Sequence, residues 1–194
     1  MSVGSTRRLC RARAVDAPDG GPYKAGLPIH LMIESRFRNG SMPPTDLVSP
    51  NAIIPALKVN GKKQALQEMA AKAAALTGQS ERTIFEILLQ REKLGSTGVG
   101  HGVAIPHGKL PKLDRVFGLF ARLERAIDFE ALDGEPVDLI FLLLAPEGAG
   151  ADHLKALARV ARLLRDPEVA RKLRDSHDVD ALYAVLTMPS ASVV

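Results

Sequence analysis

Tryptophan is absent from this chain, and only 4% of its 194 residues are aromatic. Stacking of unpaired bases needs exposed rings, so a single-strand nucleic-acid surface is not expected. One cysteine is present, Cys10. That excludes an intramolecular disulfide and a cysteine metal centre, and it fits a reducing cytoplasm. Long apolar runs are missing too. The longest, Leu139 to Pro146 (LIFLLLAP), falls far short of the roughly 20 residues that cross a bilayer, so membrane insertion is not expected. Nor does the body carry an excess of either charge. The first 41 residues hold seven Lys/Arg and three acids, and the remaining residues hold 19 of each, so the whole formal charge of +4 lies in that opening stretch. The surplus therefore gives no reason to read the body as a nucleic-acid binder.

What is there suits one domain with a core of Leu, Ile, Val and Ala, since 46% of residues are hydrophobic. Residues 1–46 read as a disordered, basic N-terminal extension, with turn signals (APDGGP, Asn39-Gly40-Ser41) and little periodicity. A transit peptide, a flexible tail, or an extended reading frame with initiation at Met32 or Met42 all fit that composition. From Lys62 a helical pattern begins: Leu66, Met69, Ala73 and Leu76 share a face, and Gly78 is placed to stop it. Ser80 is placed to cap a second helix, with Ile84, Ile87 and Leu88 inward and Gly95 at its end. Strands are expected at Val103–Ile105, Val116–Leu123 and Val137–Ala145, the last apolar on both faces and hence central. Asp133-Gly134 supplies a turn. A third helix is expected from Asp152, as cap, to Arg165, with Leu154, Leu157, Ala161 and Leu164 on one face. Two shorter helices follow near Glu168–Arg174 and Val179–Leu186. The fold class is α/β: a single domain with a central mixed β-sheet flanked by helices on both faces.

The stretch GVGHGVAIPHGKL, Gly98 to Leu110, holds two of the five histidines and four glycines, with a proline directly before His107. It is no P-loop, because it follows a helix and lacks Gly-Lys-Ser/Thr. It is no serine-hydrolase elbow, because Gly-x-Ser-x-Gly is missing. A metal site built from His101, His107 and His153 is one reading, which leads to a metal-dependent hydrolase, although no carboxylate stands at a ligand spacing. In the other reading His107 is a nucleophile. Neutral imidazole offers a lone pair. Phosphoryl transfer needs an open approach and donors for three charged oxygens. On this reading Gly100, Gly102 and Gly108 clear the approach and bare their N–H groups, and Pro106 restricts the backbone ahead of the ring. Arg91 falls on the apolar side of its helix, where a guanidinium either reaches out to pair with an acid or meets an anion. His153 lies in a helix's first turn, where the dipole favours a neutral ring and an anion beside it.

REKLGSTGVGHGVAIPHGKL (Arg91–Leu110), DGEPVDLIFLLLAPEG (Asp133–Gly148) and HLKALARVARLLRD (His153–Asp166) resemble the fructose/mannitol-type (type-2) enzyme IIA domains of the bacterial phosphotransferase system. The resemblance covers about Leu47 to Pro189, and so a domain over 47–190. REKLGSTG and IPHGKL are typical of the family's nitrogen-regulatory branch, and no permease or second phosphotransferase domain is expected in the chain. The resemblance implies a cytoplasmic phosphocarrier that needs no cofactor or metal. His107 would be phosphorylated on Nε2 by the phosphohistidine of an HPr-like carrier protein, with His153 and Arg91 completing the catalytic set. Ser96 and Thr97 would line the site, His101 takes a position where many relatives carry Asn, and Lys155 one where some carry a further histidine. Regulated partners would be potassium transport systems, sensor kinases or metabolic enzymes. Three alternatives stay open: a sugar-specific component serving a separate permease, a binding regulator never phosphorylated, and the metal-dependent hydrolase. Whether a phosphotransferase component that forms a phosphohistidine intermediate counts as an enzyme is open as well.

Overall fold

A computed structural model of the chain describes Met1 and residues 47–188. The basic extension, the candidate start sites within it and the last residues of the expected domain lie outside them. All that follows concerns the unit Ser41–Val194. In chain order its elements are β1 (Ile53–Leu57), α1 (Lys62–Thr77), α2 (Glu81–Lys93), β2 (Gly98–Gly100), β3 (Val103–Ala104), β4 (His107–Leu110), β5 (Phe117–Ile127), β6 (Val137–Pro146), α3 (Gly150–Arg165), α4 (Pro167–Asp175) and α5 (Val179–Thr187).

The sheet runs β1-β5-β6-β3-β2, and β4 also pairs with β6. β6 is buried from Leu139 to Ala145, as its unbroken apolar run requires of a strand covered on both sides. It pairs antiparallel with β5 along one edge. Along the other it pairs in parallel with β3 (Val103 to Leu139, Ala104 to Ile140) and then with β4 (His107 to Leu143, Leu110 to Pro146). β3 and β4 are thus one strand broken at Ile105-Pro106. Proline has no N–H to give a ladder, and here it stands at the break.

Successive side chains of β6 point to opposite faces. Phe141 lines a small cavity with Val160 and Leu163 of α3 and Leu186 of α5. Gly108, opposite Leu144, lies against Ile87 and Leu88 of α2. Helices therefore cover both faces, as the patterning predicts. Local chemistry sets their ends. Gly78 closes α1 in the left-handed region (φ 69°), its N–H returning to the Ala74 carbonyl. The Ser80 hydroxyl accepts the Thr83 N–H, and Asp166 caps α4 ahead of Pro167; caps of this kind contribute about 1 kcal/mol each.

Several expectations need correction. Asp152 is no cap: α3 begins at Gly150, Asp152 sits inside its first turn, and no side chain caps that end. The buried stripe of α3 is His153, Ala156, Val160 and Leu164, whereas Leu154 is 67% exposed. The expected stripe took Leu154 for its first member because leucine is more apolar than histidine, and so began one residue late. Leu76 is 38% exposed, since α1 turns its last apolar side chain outward. β5 starts at Phe117 and extends to Ile127, past the expected Leu123, and β3 ends at Ala104. β1, β2 and β4 had no counterpart in the periodicity, being too short to repeat a pattern.

Candidate active site

β4 pairs with β6 on one side only, so His107 opens an edge strand. It shares the face of Leu143, the face covered by α3, while the next residue, Gly108, faces α2. A Cβ on Gly108 would run into the Ile87 Cγ2 methyl. Only glycine lets β4 and α2 approach this closely, and that approach brings the end of α2 to the sheet edge.

Both ring nitrogens of His107 have partners. Nδ1 lies 2.9 Å from the Ile105 carbonyl oxygen, and the Arg91 Nε–H donates to Nε2 at 3.0 Å. A carbonyl can only accept and a guanidinium can only donate. The proton is therefore on Nδ1, and Nε2 presents a lone pair. Burial holds the ring's pKa below its usual 6.5; the Ile105 carbonyl acts against that shift and the Arg91 charge reinforces it. The ring is uncharged at neutral pH. Arg91 also donates from Nη1 to the Gly95 carbonyl at 2.9 Å, so its fork is steered from two sides.

His153 approaches from α3. Its ring centroid is 5.8 Å from that of His107, with the planes tilted by 59°. It is only 7% exposed, and its Nε2 has no hydrogen-bond partner among the described residues. Burial lowers its pKa as well, helped by His107 and Lys109. A buried, unsatisfied imidazole nitrogen costs free energy, and here it lies beside the His107 ring. The site thus joins a neutral imidazole with an unprotonated Nε2, a guanidinium and a second neutral imidazole, brought by β4, α2 and α3. That set can take an anionic electrophile and hold its oxygens.

One charged cluster escaped the sequence reading. Glu92, next to Arg91 but turned inward, is 9% exposed, and its carboxylate accepts the Thr97 N–H at 3.0 and 3.2 Å and the Thr97 hydroxyl at 2.6 Å. Lys62 Nζ lies 3.0 Å from it, reaches Glu130 at 2.7 Å and stands over the Phe129 ring at 5.4 Å. Burial alone would lift the Glu92 carboxyl, but the Thr97 donors and the Lys62 charge outweigh it and hold it below the usual carboxylate range. The one available signal was an acid placed inward, four residues after the inward Leu88.

Other parts of the motif go elsewhere. Gly100 and Gly102 do not flank His107. With His101 they form the β2–β3 turn, at φ 92°, 57° and 75° for Gly100, His101 and Gly102, five to seven residues back along an extended segment. Their glycines answer a backbone requirement and the nearness of Asp133, Asp138 and Arg174, not the needs of a reacting group. Among the described residues His101, His107 and His153 form no common ligand cluster: His107 and His153 meet, and His101 is not with them. The cluster that gathers around His101 is Asp133 and Glu135, all three exposed, and the Asp133 carboxylate already accepts the His101 and Glu135 N–H groups. Ser96 donates to the Phe129 carbonyl. Lys155 is exposed and pairs with Asp152 at 3.5 Å.

The family described as "Phosphoenolpyruvate-dependent sugar phosphotransferase system, EIIA 2" matches residues 46–188. A "Nitrogen regulatory protein" of Bradyrhizobium diazoefficiens is 75% identical over 151 residues, 78% of this chain and 99% of that relative. One of Escherichia coli K12 is 45% identical over 130 residues, 65% of this chain and 78% of the relative. Among solved structures, the nitrogen regulatory protein IIA-Ntr of Neisseria meningitidis superposes with a TM-score of 0.70 at 35% identity, covering 73% of this chain and 97% of that one.

Proposed function

The chain belongs to the EIIA type-2 family of the phosphotransferase system, and from that premise we propose that it is a cytoplasmic phosphocarrier of the nitrogen-regulatory branch that accepts a phosphoryl group on Nε2 of His107. One observation carries the assignment: the Ile105 carbonyl keeps the proton on Nδ1, which leaves Nε2 unprotonated, its lone pair met only by the Arg91 Nε–H, at a sheet edge. The donor is the phosphohistidine of an HPr-like carrier protein. Nε2 attacks phosphorus in line, the Nε2–P bond forms, and the donor's N–P bond breaks with its electron pair returning to the donor imidazole. No proton has to move. The Ile105 carbonyl steadies the positive charge that the His107 ring gains.

The Arg91 Nε–H that rests on Nε2 becomes free for a phosphoryl oxygen as the new bond forms. His153, its Nε2 otherwise unpartnered, donates to a second oxygen in its Nε2–H form. Charge-assisted bonds of this kind contribute roughly 1.5–3 kcal/mol each. Among the described residues no helix is long and apolar enough to cross a membrane, which suits a carrier that meets its partners by diffusion. The phosphoryl group brings about 1.5–2 negative charges to this edge, offset in part by the positive charge that the ring gains. Regulated partners, of which potassium transport systems and sensor kinases are the expected classes, would read that change of charge.

The test is reconstitution. Incubation with the phosphorylated donor carrier should add one acid-labile phosphate, and fragmentation should place it on His107. A phosphate found on another residue, or none at all, refutes the assignment.

A further inference from the structure

We propose that Glu92 is a positioning residue for phosphoryl acceptance: its carboxylate, held by Lys62, fixes the turn from which both ring nitrogens of His107 are steered. The inference rests on the phosphocarrier reading above and concerns how the acceptor is aimed.

Two chains of hydrogen bonds start in the turn that Glu92 organises. The Glu92 carboxylate accepts the Thr97 N–H and hydroxyl. The Thr97 carbonyl accepts the Ile105 N–H at 2.9 Å, and the Ile105 carbonyl in turn holds Nδ1 of His107. On the other side the Glu92 carbonyl accepts the Gly95 N–H at 3.2 Å. The Gly95 carbonyl accepts Nη1 of Arg91, and Arg91 Nε meets Nε2 of His107. Residues 93–97 are thus held at two points by Glu92, Gly95 by its main-chain carbonyl and Thr97 by its carboxylate, and the turn hands one bond to each nitrogen of the acceptor.

Stability is a poor reason for the cluster. Glu92 is 9% exposed and Thr97 3%, and the Lys62 side chain is 18% exposed. A buried ion pair gains little over apolar side chains of the same volume. What apolar residues cannot supply is a fixed direction for the Thr97 N–H and hydroxyl. Among the described residues Glu92 makes no hydrogen bond to His107 or to Arg91's guanidinium; it reaches the ring through the turn and, across space, through its negative charge, which opposes the effect of burial on His107. Lys62, also bound to Glu130 and lying over Phe129, anchors the carboxylate to α1 and to the loop after β5.

The experiment uses phosphoramidate, a small phosphoryl donor that needs no protein docking, on the full chain. Labelling rate and the ¹⁵N shifts of the His107 ring are both read, the second reporting which nitrogen holds the proton. Glu92→Gln should label about tenfold more slowly, the scale of a modest misplacement of a reacting group, and its ring should lose the pure Nδ1–H signature while thermal melting stays cooperative. Lys62→Met should act in the same direction, and the double variant should be no slower than the slower single one. A folded Glu92→Gln with wild-type rate and wild-type ring shifts overturns the inference. Should that variant fail to fold, Thr97→Val and Lys62→Met decide instead, and wild-type behaviour in both overturns it. A wild-type chain that takes no label on His107 overturns the phosphocarrier reading and this inference together, whereas labelling that is indifferent to these variants overturns this inference alone.

Discussion

His101 and His107 lie six residues apart in one glycine-rich stretch, yet the fold treats them in opposite ways. His101 occupies the tip of the β2–β3 turn with a left-handed backbone, and its main-chain groups meet Asp133 and Arg174. His107 opens β4, and there it is the ring that is engaged, at both nitrogens. Glycine around a histidine therefore does not mark a reactive ring. At 100 and 102 it serves a turn, and at 108 it serves the close approach of a helix. What distinguishes His107 is that two helices distant in sequence deliver a guanidinium and a second imidazole to a ring whose other nitrogen the nearby Ile105 carbonyl already holds.

The largest effect expected from that contrast comes from replacing each histidine with alanine. His107→Ala should abolish phosphoryl acceptance from the donor carrier. His101→Ala should label at the wild-type rate per folded molecule with a stability change within about 0.5 kcal/mol, since alanine carries the same Cβ that histidine already holds at φ 57°. Acid-labile phosphate measured by intact mass, beside a urea melt, checks both. Labelling retained in the first variant or lost in the second inverts the comparison.

The two glycine positions sharpen it at a smaller scale. In Gly108→Ala the new Cβ meets Ile87 Cγ2, and a β-branched side chain on a helix cannot swing that methyl aside. β4 and α2 must part, which should cost about 1–3 kcal/mol and carry Arg91 away from Nε2, slowing labelling by about tenfold. In Gly102→Ala the Cβ would stand 2.5 Å from Arg174 Nη2 and 2.8 Å from Asp138 Oδ1, at φ +75°. That opens the bidentate Arg174–Asp138 pair, which ties α4 to β6. A similar loss of stability is expected, with no loss of labelling rate per folded molecule. Equal rate defects in the two variants would remove the distinction between turn and site.

The contrast also shows how far the sequence could be read. Helix ends were legible because Gly78, Ser80 and Pro167 act locally, and β6 was legible because a strand covered on both faces needs apolar residues at every position. Arg91, His107 and His153 were named as a set through the family resemblance, and the fold brings the three side chains together. The uses of Gly100 and Gly102 were not, since a glycine in a tight turn and one beside a helix look alike until the neighbours are placed. Glu92 was hidden for a similar reason. A buried carboxylate has meaning only through Lys62, thirty positions earlier, and through a turn whose path no periodicity describes. The one-residue error in the stripe of α3 came from ranking Leu154 above His153 as a core residue, when the histidine that faces His107 took the inward place.

The smallest predicted effect concerns protons. His107 and His153 are both held below their usual 6.5, chiefly by burial. At a pH above 6.5 both rings are neutral whether the chain is folded or not, and they add no pH dependence. As the pH falls below 6.5 the unfolded chain binds protons that the folded chain resists. Stability is therefore lost progressively as the pH falls toward the folded values, since it declines wherever the unfolded state binds more protons. Urea melts between about pH 8 and about pH 5.5 should show the decline in the wild type and a shallower one in a His107→Asn/His153→Asn double variant. Carboxylates such as Glu92, whose usual value is 4.5, contribute alike to both chains at the low end. If the slopes of wild type and double variant coincide, the two site histidines are not held neutral by the fold.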